Sequence, residues 1–200
     1  VKNYSHGMLQ SVSDYPFLSS SANHIFDLTI GYDESSGYSG SAGRIQQKKK
    51  INMYNQFSQV LLGYTGSTNT VRLFESDLKL DQTGSMREVF FVNFSRLLSK
   101  DQVKKGSVSI SILTGAYAPG NLARSGAITY TDAHVTNTSN TLNTVGGDYG
   151  VLRESGTTRA GGVIFYQAGL MVLTASAFSA SSYNAELNPT QGIPANFYKG

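Results

Sequence analysis

Several stretches of this 200-residue chain alternate apolar and polar positions. In residues 24–32, HIFDLTIGY, Phe26, Leu28 and Ile30 fall on one face while Asp27 and Thr29 fall on the other. A period of two is the mark of a half-buried strand. Residues 88–94, EVFFVNF, put Phe90, Val92 and Phe94 on one face and Phe91 and Asn93 on the other; their β-branched and aromatic content also favours a strand. Residues 107–114, SVSISILT, alternate cleanly, with Val108, Ile110 and Ile112 facing inward. Val71–Phe74 and Ala127–Thr131 predict shorter strands, with a turn at Asp81–Gly84 between them. After Gly146-Gly147, three apolar bursts at Tyr149–Leu152, Val163–Tyr166 and Leu170–Thr174 predict a β-meander. Only Gln167-Ala168-Gly169 separates the last two bursts, so they form a tight hairpin.

One segment has the helical period instead. Ile51, Tyr54, Phe57 and Leu61 recur at three and four residues, with Val60 beside them, predicting an amphipathic helix over 45–62. Gly63 suits its C-terminal cap. Lys48, Lys49 and Lys50 fall in its early turns, where the helix dipole disfavours positive charge. That mismatch predicts either a start near Lys50 or a carboxylate or phosphate close by. Ser99 with Gln102 makes a capping-box pattern, predicting a short helix over 99–105 that Gly106 stops. The helix over 45–62 is expected to lie on a sheet containing 88–94 and 107–114. The fold class is α+β and mainly β: antiparallel sheet with one amphipathic helix, one short helix and extended terminal arms. The expected organisation is an N-terminal arm at 1–22, a main domain at 23–175 and a C-terminal tail at 176–200.

Composition narrows the chemistry. With no cysteine, a disulfide framework, a cysteine zinc site and thiol catalysis are excluded. No apolar run reaches the roughly 18 residues of a membrane helix. Lys plus Arg total 16 and Asp plus Glu 13, a net charge of +3. Nucleic-acid binders concentrate positive charge on one face, and here the only dense run is Lys48–Lys50, so nucleic acid is disfavoured as a partner. His6, His24 and His134 lack metal-ligand spacing. Asp132 and His134, two apart, are a weak acid/base hint. There is no phosphate-binding glycine loop, dinucleotide fingerprint or nucleophile elbow. The reading is therefore no catalytic residues, no metal and no cofactor.

Five segments carry a resemblance: YPFLSSSANHIFDLTIGY (15–32), KKKINMYNQFSQVLLGY (48–64), EVFFVNFSRLLSKDQVKKGSVSISI (88–112), YGVLRESG (149–156) and GGVIFYQAGLMVLTASAF (161–178). Together they resemble a domain of virion structural proteins from tailed bacteriophages, especially contractile-tailed phages of aquatic bacteria. The resemblance implies a non-enzymatic subunit of the baseplate, tail, neck or capsid exterior, assembled in the host cytoplasm. Its partners would be other virion proteins or copies of itself, with no membrane involved. The aromatic arm and tail are then expected to be ordered by neighbours, with Tyr4, Tyr15, Phe17, Phe197 and Tyr198 as anchors. Lys48, Lys49 and Lys50 complete the expected interface. The alternative is a surface module that touches host glycans through loops 33–43 and 115–147. A hydrolase would need two carboxylates facing across a cleft.

Overall fold

The computed structural model describes residues 2–4, 8–14, 23–37, 39, 45–66, 70–81, 83–95, 101–112, 128–135 and 142–175. Its strands are β1 (Lys2–Asn3), β2 (Gln10–Asp14), β3 (Asn23–Tyr32), β4 (Phe74–Glu75), β5 (Ser85–Met86), β6 (Glu88–Phe94), β7 (Ser109–Ile112), β8 (Ile128–Thr131), β9 (Leu142–Thr144), β10 (Gly147–Glu154), β11 (Ala160–Phe165) and β12 (Leu170–Thr174). The helix α1 spans Ile45–Leu61. Among the described residues, ten strands join one antiparallel sheet in the order β1-β2-β3-β6-β12-β11-β10-β8-β7, with β9 also on β10. β4 and β5 form a separate small hairpin. The fold is mainly β with one helix, as the periodicity predicts.

The register sorts side chains into two apolar layers. Phe91 stands opposite Thr29 and Val172, while Val92 stands opposite Leu28 and Met171. Val89, Phe91, Val151, Val163, Phe165 and Val172 therefore share one layer with the helix. Val92, Leu152, Ile164, Tyr166, Met171 and Leu173 share the other. Both faces of the central strands are apolar because both are covered. That explains why Val163–Phe165 and Leu170–Thr174 read as continuous runs rather than alternations.

On the first layer, α1 contacts β3. Tyr54 meets Phe74 edge-on at 5.4 Å, and Phe57 lies 4.4 Å from Phe91 between ring centroids. Gly31 lets the helix approach: a Cβ there would sit 2.6 Å from the Phe91 ring and 3.2 Å from Tyr54 Cβ. The expected stripe does face inward, through Tyr54, Leu61 and the Phe57 ring on Phe91, but polar side chains share that face. The buried residues of α1 are Lys50, Tyr54, Ser58 and Leu61. Ile51 and Phe57 are half-buried, and Val60 is 69% exposed. Three of the four buried residues are polar, so hydrophobicity alone finds the side that faces inward but not all the residues buried on it. Each is satisfied by other segments: Lys50 Nζ donates to Met8 O at 2.7 Å, Tyr54 Oη to Met86 O at 2.8 Å, and Ser58 Oγ to Arg72 O. Gly63 caps the helix in the left-handed region (φ 76°), its N–H reaching Ser58 O and Gln59 O.

Two expectations are corrected. Residues 101–105 are turn and irregular backbone rather than helix; they are held by Val103 N–H on Tyr166 O and by Asp132, and those long-range bonds override the local capping signal. The remainder of that segment, 99–100, lies outside the described residues. As expected, β6 and β7 belong to the one sheet that carries the helix, but β12, β11, β10 and β8 stand between them. β7 turns Ile110 and Ile112 into the layer away from the helix. Finally, the described parts of the N-terminal arm are extended but not free. β2 pairs with β3 from Gln10↔Leu28 to Asp14↔Asn23, and β1 pairs with β2. Those strands add to the chain's own sheet edge, where backbone pairing is available without a neighbour.

Candidate interaction surface

The residues expected to mediate contacts are scattered. Lys48 and Lys49 are exposed, but Lys50 is buried at 6% exposure. Its ammonium is bonded to Met8 O and to Thr29 Oγ1 at 3.0 Å, so it ties the loop between β1 and β2 to the helix and β3. Burial lowers its pKa to about 8. It is therefore an internal strut and not a contact residue. Tyr4 is half-buried beside β2, with Lys2 Nζ 4.9 Å from its ring centroid. Tyr15, Phe17, Phe197 and Tyr198 lie outside the described residues.

Two polar clusters invite a catalytic reading, and geometry decides against each. Asp27 Oδ1 accepts from Ser11 Oγ at 2.5 Å and lies 2.9 Å from His24 Nε2. A nucleophilic serine needs the base itself within hydrogen-bond reach. Here serine and histidine share one carboxylate oxygen, so the group buttresses the β2–β3 edge. Asp132 is fully buried. Its Oδ1 accepts from Val108 N–H at 2.8 Å, and its Oδ2 from Gly106 N–H at 2.9 Å and Tyr166 Oη at 2.8 Å. Burial, then the bond to Asp132, pushes the Tyr166 pKa far up, so it stays a donor. Lys105 Nζ pairs with Asp148 at 2.6 Å and lies 5.9 Å from the Tyr166 ring centroid. Both Asp132 oxygens are engaged in holding the 106–108 backbone, so the Asp132–His134 hint resolves into a loop clamp. Burial lowers the His134 pKa. Among the described residues no group of three or more His, Asp or Glu is placed to hold a metal.

What the fold does present is a partly open apolar layer. Beyond the buried centre of the second layer, Phe26, Leu28, Phe90, Phe94, Ile110, Ile112 and Ile128 are only half-buried. A cavity of about 430 Å³ lies beside them, with Phe94, Val103 and Val108 against Gln102, Lys104 and Ser107. It joins the end of β6 to the segment before β7, two places far apart in the sheet order. The clamp on Asp132 sets the position of that segment. Sequence reasoning located these apolar positions on half-buried or inward strand faces, but alternation does not reveal how far a layer is covered. No described helix is long and apolar enough to cross a membrane.

Fold and surface together define the class: a mainly β, single-helix α+β domain whose described polar clusters hold structure. Among known protein families, curated proteins and solved structures, no match to this chain is found.

Proposed function

We propose that this chain is a non-enzymatic structural component of a tailed-phage virion, joined to its neighbours by protein–protein contacts. The observation that carries the reading is the partly open second layer. Seven aromatic and aliphatic residues remain half-buried along the flanks of a sheet whose other face the chain covers itself. Half-buried apolar side chains leave area that a neighbour can cover, and the centres of stable interfaces are apolar and poor in charge. The sequence resemblance supplies the setting: the virion, assembled in the host cytoplasm, with other virion proteins or further copies of the chain as partners. Contacts through terminal arms are confined in this proposal to segments outside 2–4 and 8–14, because β1 and β2 are already paired.

Peptides of this chain should co-purify with intact particles at a fixed stoichiometry, and its density should be found in the particle. Particles lacking the chain would overturn the reading. The cavity beside Phe94 favours one second reading. An aromatic ring next to Gln102, Lys104 and Ser107 offers a footing for a host glycan. Saturable binding on a glycan array, lost on Phe94→Ala, would support it.

A further inference from the structure

Sheet edges are usually protected by lysine, proline, bulges or a covering segment. β7 has none of the first three: its residues are Ser109, Ile110, Ser111 and Ile112, in unbroken register with β8. Among the described residues β8 is its only partner. Two observations show which backbone groups face outward. Val108 O accepts from Asp132 N–H, so the register position before Ser109 points toward the β8 side. Thr129 O accepts from Ser155 N–H on the opposite side of β8, so Thr129 and its partner Ser111 point away from each other. The close contact of their hydroxyls, 2.8 Å, is what a non-hydrogen-bonded pair gives. By alternation, Ser109 and Ser111 direct their N–H and C=O groups to the edge that no described strand pairs, while Ile110 and Ile112 bond to β8.

The segment Val108-Ser109-Ile110-Ser111-Ile112 is also nearly symmetric about its centre. If its own copy is laid antiparallel with a two-fold axis at Ile110, Ser109 pairs with Ser111 of the second copy and the reverse. Both pairs are hydrogen-bonded ones, so all the outward backbone groups of the two serines are matched. Ile110 meets Ile110, and Val108 meets Ile112, all on the same face. No charge falls on either strand, so no like charges oppose one another. Ile112 of the second copy would come to lie against Val108, which lines the cavity of about 430 Å³.

We propose that the outer edge of β7 is a homodimer contact, where a second copy of this chain adds its own β7 antiparallel about Ile110. The proposal rests on the assembly reading only for its setting, and it names one partner.

The chain has no cysteine, so a single introduced thiol reports unambiguously. At a non-hydrogen-bonded pair the Cα atoms lie about 4.5 Å apart, within disulfide reach. Full-length Ile110→Cys should therefore cross-link to a dimer on mild oxidation, while Ser109→Cys, offset from its own copy, should not. The wild-type chain should show twice the monomer mass in light scattering on size-exclusion. Ser111→Pro removes an outward N–H and leaves the β8 bonds intact, so it should keep the far-UV spectrum and melting temperature and weaken dimerisation tenfold or more. Equal cross-linking of both cysteine variants would overturn the proposal, as would a wild-type monomer up to the solubility limit. Protection of the Ser109 and Ser111 amides only on adding a different protein would give the edge to a foreign strand, and would also overturn it. Cross-linking at Ile110→Cys by a chain absent from particles would retain the dimer and remove the virion reading; the converse result would do the opposite.

Discussion

The two faces of the sheet are built from the same strands, alternate residue by alternate residue, yet they are finished differently. On the helix side, Tyr54, Phe74, Phe91 and Phe165 form a chain of ring contacts, all at 1% exposure or less. The helix closes that face, and its buried polar groups are bonded to carbonyls of the loop before β2, the irregular segment at Arg72 and β5. On the other side, the centre is closed by the curl of the sheet and by the Asp132 clamp. Its flanks at β3, β6 and β7 stay half open. A face closed by its own chain serves stability, whereas the other face keeps half-buried apolar side chains at its flanks.

Neighbouring residues on β6 give the sharpest way to break that comparison. Phe91→Ala should destabilise the chain by about 3–5 kcal/mol in urea unfolding, since its ring is enclosed on the helix side. A loss under about 1 kcal/mol there would mean that the helix layer is not the stability core. Asp132→Ala comes next. It strips the acceptor from Val108 N–H, Gly106 N–H and Tyr166 Oη, at an expected cost of about 2–4 kcal/mol. It should also release amide exchange at 106–108 before global unfolding; unchanged exchange there would argue against the clamp.

Lys50 sharpens the comparison through pH. Its folded pKa is lowered to about 8 from 10.5, so between those values the unfolded chain binds more protons than the folded one. Stability attributable to Lys50 must therefore rise as pH increases through that window. From pH 8 to 9.5 the rise should be about 2 kcal/mol, and Lys50→Met should abolish it. Tyr54, whose pKa burial raises, opposes this trend only above its unfolded value of about 10, outside the window. A wild-type profile that is flat or falls from pH 8 to 9.5 would place the Lys50 amine in water. The smallest effect belongs to the open side: Phe90→Ala, half-buried, should cost about 1–2 kcal/mol. A loss equal to that of Phe91→Ala would mean both faces are closed alike.

Much of the local structure was legible. Alternation located β3, β6 and β7, and the apolar bursts located β10, β11 and β12 with their hairpin. The 3.6 period located α1 and its glycine cap. The candidate surface was legible only in part. Tyr4 and the lysine run were singled out by composition, but Lys50 turned out to be internal because two oxygen acceptors from distant segments solvate it there. The serine and isoleucine alternation of β7 was visible as a strand, while its place at an edge was not.

The sequence by itself determined where the long strands and α1 lie and which strand side chains share a face, because those follow from backbone period and local sterics. Only the tertiary structure decided that α1 buries Lys50 and Ser58 beside Tyr54, that four strands separate β6 from β7, and that one apolar layer is closed while the other stays partly open. Each of those outcomes depends on bonds between residues remote in sequence: a lysine on Met8, a tyrosine on Met86, an aspartate across 26 positions to Gly106. Such bonds leave no periodic trace in the chain, and burying a polar group becomes affordable only once its partner is in place.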